Sequence, residues 1–91
     1  MSGRPRAVVA ADLGAESGRV VLGRFDGTRV ELTEVHRFPN GPRRVAGLLR
    51  WDLEHLWTQV CTGLAKAGDL AGRVDSVGVD SWGLDYGLLD A

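Results

Sequence analysis

Aspartate, glycine, serine and arginine are gathered in Asp12-Leu13-Gly14-Ala15-Glu16-Ser17-Gly18-Arg19, between two short apolar runs. An aspartate leaving a buried strand, two glycines around a small polar turn and an arginine at its exit suit a hairpin that binds phosphate. Gly14 and Gly18 lack a Cβ, so they can take positive φ and let backbone N–H groups approach an anion. Ser17 adds a hydroxyl donor, and Arg19 adds a planar, permanent cation matched to phosphate oxygens. Asp12 would face the same pocket as an acceptor, for Mg²⁺ and its waters or for a sugar hydroxyl. The spacing is neither a Walker loop, since no Gly-Lys-Ser/Thr follows, nor the GxGxxG of dinucleotide folds. An ordinary β-turn with a surface arginine has the same residues, so the surrounding elements must decide.

Those elements read in order as follows. Met1 to Arg6 are polar and Pro-containing, a frayed N-terminus. Ala7 to Ala11 are apolar without alternation, the pattern of a strand covered on both faces. Gly18 to Phe25 form a second strand, and Asp26-Gly27 is a strong hairpin signal. Arg29 to Phe38 return as a third, with Val30 and Leu32 on one face and Glu31 and Thr33 on the other. The alternation slips near Glu34-Val35, which marks a bulge or strong twist. Phe38-Pro39-Asn40-Gly41-Pro42 ends this meander, and Arg43 to Trp51 read as a surface loop.

Asp52 is placed to cap a helix. Leu53, Leu56, Trp57, Val60, Cys61 and Leu64 make one apolar stripe, with Glu54 in the first turn, Lys66 in the last and Gly68 as the stop. Cys61 therefore reads as a buried, inert thiol. His55 lies off the stripe as a solvated side chain, and His36 has no ligand-type residue at metal-binding spacing. Val74 to Trp82 resume strand character, Gly83 breaks it, and Leu84 to Asp90 start another extended run. A strand after the helix pairs most simply in parallel with the first, which brings Asp80 to Gly83 to the edge that holds Asp12. In open α/β sheets ligands bind at such carboxyl ends. There Trp82 offers an indole face to a sugar ring and Gly83 permits close approach, or the two are a core aromatic and a turn residue. Asp80 and Asp85 flank them, either to orient hydroxyls or as solvated turn residues.

Composition narrows the function classes. At 91 residues the chain makes at most one domain, and a chain of this size buries only roughly two-thirds of its unfolded surface. It is 44% apolar and 25% charged, an ordinary globular balance. Eleven basic against twelve acidic residues leave a net charge of −1, which gives no electrostatic footprint for nucleic acid or an anionic membrane. The single cysteine excludes an internal disulfide and fits a reducing, cytoplasmic setting. The run Ala7 to Ala11 is too short for a signal-peptide core or a membrane span.

Four ordered blocks together resemble the N-terminal segment of the rhamnulokinase family of FGGY sugar kinases. They are Asp12 to Arg19, Glu34-Val35-His36-Arg37-Phe38-Pro39-Asn40-Gly41, Trp51-Asp52, and Asp75-Ser76-Val77-Gly78-Val79-Asp80-Ser81-Trp82-Gly83-Leu84-Asp85-Tyr86. The first block alone resembles the wider actin, hexokinase and Hsp70 ATPase superfamily. The His36-Arg37-Phe38 and Asp-Ser-Trp-Gly blocks are similar to rhamnulokinases rather than to xylulokinases or glycerol kinases. The resemblance implies an α/β, ribonuclease H-like domain: a three-stranded antiparallel meander, a crossover helix, a parallel fourth strand and the start of a fifth. It implies ATP phosphates at Ala15, Glu16, Ser17, Gly18 and Arg19 beside Gly14, Mg²⁺ near Asp12, and the sugar at Gly83 with Trp82 beside it. The Glu16 contact would come from its backbone, with the carboxylate facing solvent or metal. The implied reaction is transfer of the ATP γ-phosphate to the 1-hydroxyl of L-rhamnulose, by positioning and charge neutralisation.

The enzymes of that family are several times longer, and their catalytic aspartate and adenine-binding lobe lie beyond the matched region. The resemblance therefore puts the catalytic base beyond Ala91 and gives no residue of this chain that role. Residues 7–91 are expected to be part of a kinase lobe, inactive alone. Two other readings compete: a non-catalytic assembly module that pairs through exposed strand edges, and an FGGY kinase for another ketose or polyol.

Overall fold

The computed structural model describes residues 5–81. Three antiparallel strands come first: β1 (Arg6–Leu13), β2 (Ser17–Phe25) and β3 (Val30–Pro39). A short hairpin follows, β4 (Pro42–Val45) and β5 (Leu48–Trp51), then helix α1 (Leu53–Ala71) and strand β6 (Ser76–Ser81). The main sheet has the order β3-β2-β1-β6, with β6 parallel to β1. The protein is thus a small mixed α/β unit in which the meander, the crossover helix and the parallel fourth strand take the predicted places. The extended run expected from Leu84 to Asp90, and Ala91 after it, lie outside the described residues.

Local chemistry explains the turns. Between β2 and β3, Gly27 takes φ 100°, and the Asp26 carboxylate accepts from the N–H groups of Thr28 and Arg29 at 2.9 and 2.8 Å. The Arg29 and Thr28 amides hold the Asp26 carboxyl below the usual carboxylate range. The bulge falls where the alternation slips: Val20 pairs with His36 and Val21 with Glu34, which leaves Val35 as the extra residue. At the start of β6, the Ala7 N–H donates to Asp75 Oδ2 at 2.8 Å and the Asp75 N–H returns to the Ala7 carbonyl at 2.7 Å. This reciprocal pair sets the parallel register.

Helix α1 begins as predicted. The Asp52 side chain accepts from the His55 N–H at 3.0 Å, and Arg43 of β4 pairs with the same carboxylate. First the His55 amide and then Arg43 hold the Asp52 carboxyl below its ordinary value. The end differs from expectation. The helix runs through Lys66 and Gly68 to Ala71, and Gly72, at φ 76°, caps it by donating to the Gly68 carbonyl at 2.8 Å. Arg24 of β2 also donates to the Leu70 carbonyl at 2.8 Å, a cation at the negative helix end.

The core is one seam between α1 and a single face of the sheet. Ala7, Val9 and Ala11 of β1 and Val20 and Leu22 of β2 meet Ala67, with Val60, Leu64 and Ala71 packed around them. Burying each of Val9, Val20 and Leu22 contributes about 1.5–3 kcal/mol. Several expectations are corrected here. Strand β1 is buried on alternate residues only, because α1 covers one face and Val8 and Ala10 point to the other. Of the expected helix stripe, Leu56 is buried and Val60 and Leu64 pack against the core, but the other buried positions of α1 are Gly63 and Ala67. Leu53 and Trp57 are 73% and 69% exposed, and the Cys61 thiol is exposed too. Small residues let α1 approach β2 closely, and that contact rotates the larger side chains to the flanks. Finally, residues 42–51 form a hairpin, not a loop, with Ala46 at φ 52° and Gly47 at φ 80° in its turn, and Arg6 belongs to β1, opposite Phe25.

Candidate phosphate-binding site

The hairpin between β1 and β2 stands at the carboxyl end of β1. Asp12 and Arg19 are cross-strand partners, and their side chains meet at 3.0 Å from Nε to Oδ2, with both groups part exposed. Residues 20, 22, 7, 9 and 11 face α1, so strand alternation puts Asp12 and Arg19 on the opposite, open face. Asp80 of β6 is the register partner of Asp12, which brings the two carboxylate-bearing positions side by side at one sheet edge, as the parallel arrangement required.

The turn is supported from behind. The Gly14 N–H donates to the Ser17 carbonyl at 3.0 Å, the Asn40 N–H donates to the Glu16 carbonyl at 3.0 Å, and Asn40 Nδ2 donates to the Gly14 carbonyl at 2.7 Å. The inward-facing carbonyls are thereby taken up. Among the described residues no group accepts from the amides of Ala15 and Glu16, both of which are exposed at the tip. These two N–H groups sit at the tip of the turn and Arg19 three residues on, and backbone amides and a guanidinium are the kinds of donor that take an anion.

The physical reason for the glycines differs from the sequence-based one. Gly14 and Gly18 are not among the residues at positive φ. A Cβ on Gly14 would stand 2.7 Å from the Ser17 carbonyl oxygen, and one on Gly18 would enter the Phe38 ring. They are needed for a tight turn and a close aromatic contact, not for left-handed backbone.

Phe38 links the hairpin to the helix. It is 2% exposed, stacks on His36 at 5.8 Å and meets His55 edge-on at 5.9 Å. His55, expected to be solvated, donates from Nε2 to the Pro39 carbonyl at 2.9 Å, next to Asn40. His36 accepts from Lys66 Nζ at Nδ1 (2.9 Å) and donates from Nε2 to Gln59 Oε1 (2.7 Å), a tie between β3 and α1. Sequence reasoning missed Asn40 and His55 as supports of the turn. The only available signal was Asn40 in the Pro-Asn-Gly-Pro break, where an ordinary turn was a sufficient explanation.

Trp82 and Gly83, expected at the sugar, and Asp85, expected either to orient hydroxyls or to be a solvated turn residue, lie outside the described residues. Among the described residues no group of three or more His, Cys, Asp or Glu side chains gathers as a metal cage. No helix among them is long and apolar enough to cross a membrane. No protein-family model matches the chain.

Proposed function

We propose that this chain forms the phosphate-binding half-lobe of an ATP-dependent sugar kinase of the rhamnulokinase type, with a ribonuclease H-like architecture and a cytoplasmic setting. One observation carries the reading: the Asp12–Arg19 pair closes a hairpin whose tip has two unengaged amides, at the carboxyl ends of β1 and β6. The fourfold block resemblance supplies the sugar.

In this account the Ala15 and Glu16 N–H groups and the Arg19 guanidinium hold phosphate oxygens, with the Ser17 hydroxyl beside them. Asp12 has two tasks: it orients Arg19 and presents a carboxylate to Mg²⁺ and its waters. Mg·ATP supplies the γ-phosphoryl group and neutralises charge as it transfers. Trp82 and Gly83, which follow β6 in the sequence, receive L-rhamnulose. The resemblance puts the catalytic base in further structure, and none of these residues takes that role. The open sheet face, with Val8 at 41% and Leu32 at 71% exposure, supplies an apolar surface for that structure to cover.

The test is a coupled ATP-turnover assay with L-rhamnulose and Mg²⁺, run on this chain and on the longest reading frame that contains it. Turnover is expected only in the longer protein. There Gly83→Val is expected to abolish sugar binding and leave ATP binding nearly intact. Preference for another ketose or polyol would reassign the substrate, and equal loss of both ligands in the variant would remove Gly83 from the sugar site. The same apolar face also favours a second reading, a non-catalytic module that self-associates through its face and the β3 and β6 edges. Stable self-association with turnover in neither protein would support it.

A further inference from the structure

A charged row crosses the open face of the sheet at the hairpin end. Asp80, Asp12, Arg19 and Arg37 are successive register partners on β6, β1, β2 and β3. The row is acidic on one half and basic on the other. Arg19 and Arg37 are directly opposite on adjacent strands, an arrangement that is unfavourable for like charges. Each guanidinium is held by one carboxylate: Arg19 by Asp12 at 3.0 Å, and Arg37 Nη2 by Glu34 Oε1 at 2.7 Å.

The Arg37–Glu34 pair depends on the bulge. Residues three apart on a regular strand point to opposite faces. The extra residue Val35 restores Glu34 and Arg37 to one face, so the bulge builds the holder for this arginine. Both arginines are also rooted next to buried residues, Arg19 beside Val20 and Arg37 beside Phe38. Their backbones are therefore fixed while their heads reach solvent, at side-chain exposures of 48% and 55%. Exposed single ion pairs of this kind are weak and exchange readily for a stronger acceptor.

We propose that Arg37 is the second guanidinium of a two-arginine site for phosphate-bearing anions on this face, acting with Arg19 and the exposed amides of Ala15 and Glu16. A chain of phosphates offers oxygens to both planar forks at once, which a single carboxylate cannot do. Glu34 is then a competitor that occupies Arg37 until the anion arrives. The proposal rests on the kinase reading for the identity of the anion, a nucleotide polyphosphate, and its test is separable from turnover.

The experiment titrates sodium tripolyphosphate, with and without Mg²⁺, into the ¹⁵N-labelled protein, following the Arg19 and Arg37 Nε–H resonances and the calorimetric Kd. Both resonances are expected to shift along one isotherm. Arg37→Gln is expected to weaken binding about tenfold, the loss of one charge-assisted contact. Arg37→Lys, which keeps the charge but not the fork, is expected to fall between that variant and the parent, and Glu34→Gln to bind more tightly. Circular dichroism of each variant checks the fold. An unchanged Kd in Arg37→Gln beside a weakened Arg19→Gln would overturn the proposal and leave the kinase reading standing. Absence of tripolyphosphate binding by the parent would also overturn it. Arg37-dependent binding without ATP turnover in the longer protein would uphold the site while the kinase reading fails.

Discussion

Gly63→Leu is expected to abolish cooperative folding. Gly63 is the point where α1 touches β2: a Cβ built there would sit 2.6 Å from the Val20 Cβ and closer still to its Cγ2. Val20 is fully buried, with no exposed surface into which it could move. The helix must therefore lift from the sheet, and the seam of Val9, Leu22 and Ala67 opens with it. Even Gly63→Ala sets a helix-propensity gain of about 1 kcal/mol against an overpacking cost of about 1–3 kcal/mol. With total stability on the order of 5 kcal/mol for so small a core, the leucine exceeds what the fold tolerates. Gly68→Ala is the control. It lies in the same helix with nothing within 4 Å of its added Cβ, so it is expected to stabilise the protein by about 0.5–1 kcal/mol. Urea denaturation followed at 222 nm measures both. A two-state transition near the parental midpoint for Gly63→Leu would refute the close α1–β2 contact.

Gly18→Val is expected to damage fold and hairpin together. Phe38 fills the space over Gly18, and an added Cβ would lie 2.9 Å from ring atom Cε1 and nearer to Cζ. The ring cannot swing freely, because His36 stacks on it and His55 meets it edge-on. Its displacement would also move Asn40, which holds the turn by donating to the Gly14 and Glu16 carbonyls. Gly18→Ala is expected to cost about 1–3 kcal/mol, and Gly18→Val more. The double variant Gly18→Ala/Phe38→Leu separates the possible causes. If the glycine is required by the ring, the smaller partner recovers part of the loss in thermal unfolding. No recovery, with the single variants additive, would point to a backbone requirement at Gly18 instead.

What the sequence made legible was local. The Asp26-Gly27 turn, the slip at Glu34-Val35 and the Asp52 cap are each decided by a few neighbouring residues, and each formed where expected. The β4–β5 hairpin was hidden because its turn places Ala46, an unusual residue for positive φ, before Gly47. Its arginines also blur the alternation that marks a strand. The helix stripe was misjudged for a non-local reason. Large apolar residues define the stripe in one dimension, but the distance from α1 to Val20 is set in three, and it selects Gly63 and Ala67 over Trp57 and Cys61. Gly68 was expected as the stop, but the helix passes through it and ends at Gly72, which takes the positive φ of a cap. At the site, Asp12 and Arg19 were legible as a spaced pair. The supports were not: Asn40 and His55 reach the turn from sequence positions far from it.

The central claim is that the β1–β2 hairpin takes the phosphates of a nucleotide. It is tested most directly by titrating Mg·ATP into the ¹⁵N-labelled chain and mapping the amide shifts. The account predicts the largest saturable shifts at Ala15, Glu16 and neighbouring residues through Arg19, reduced on Arg19→Gln. Little change is expected along α1. Shifts centred elsewhere, or none in the hairpin at millimolar nucleotide, would contradict it.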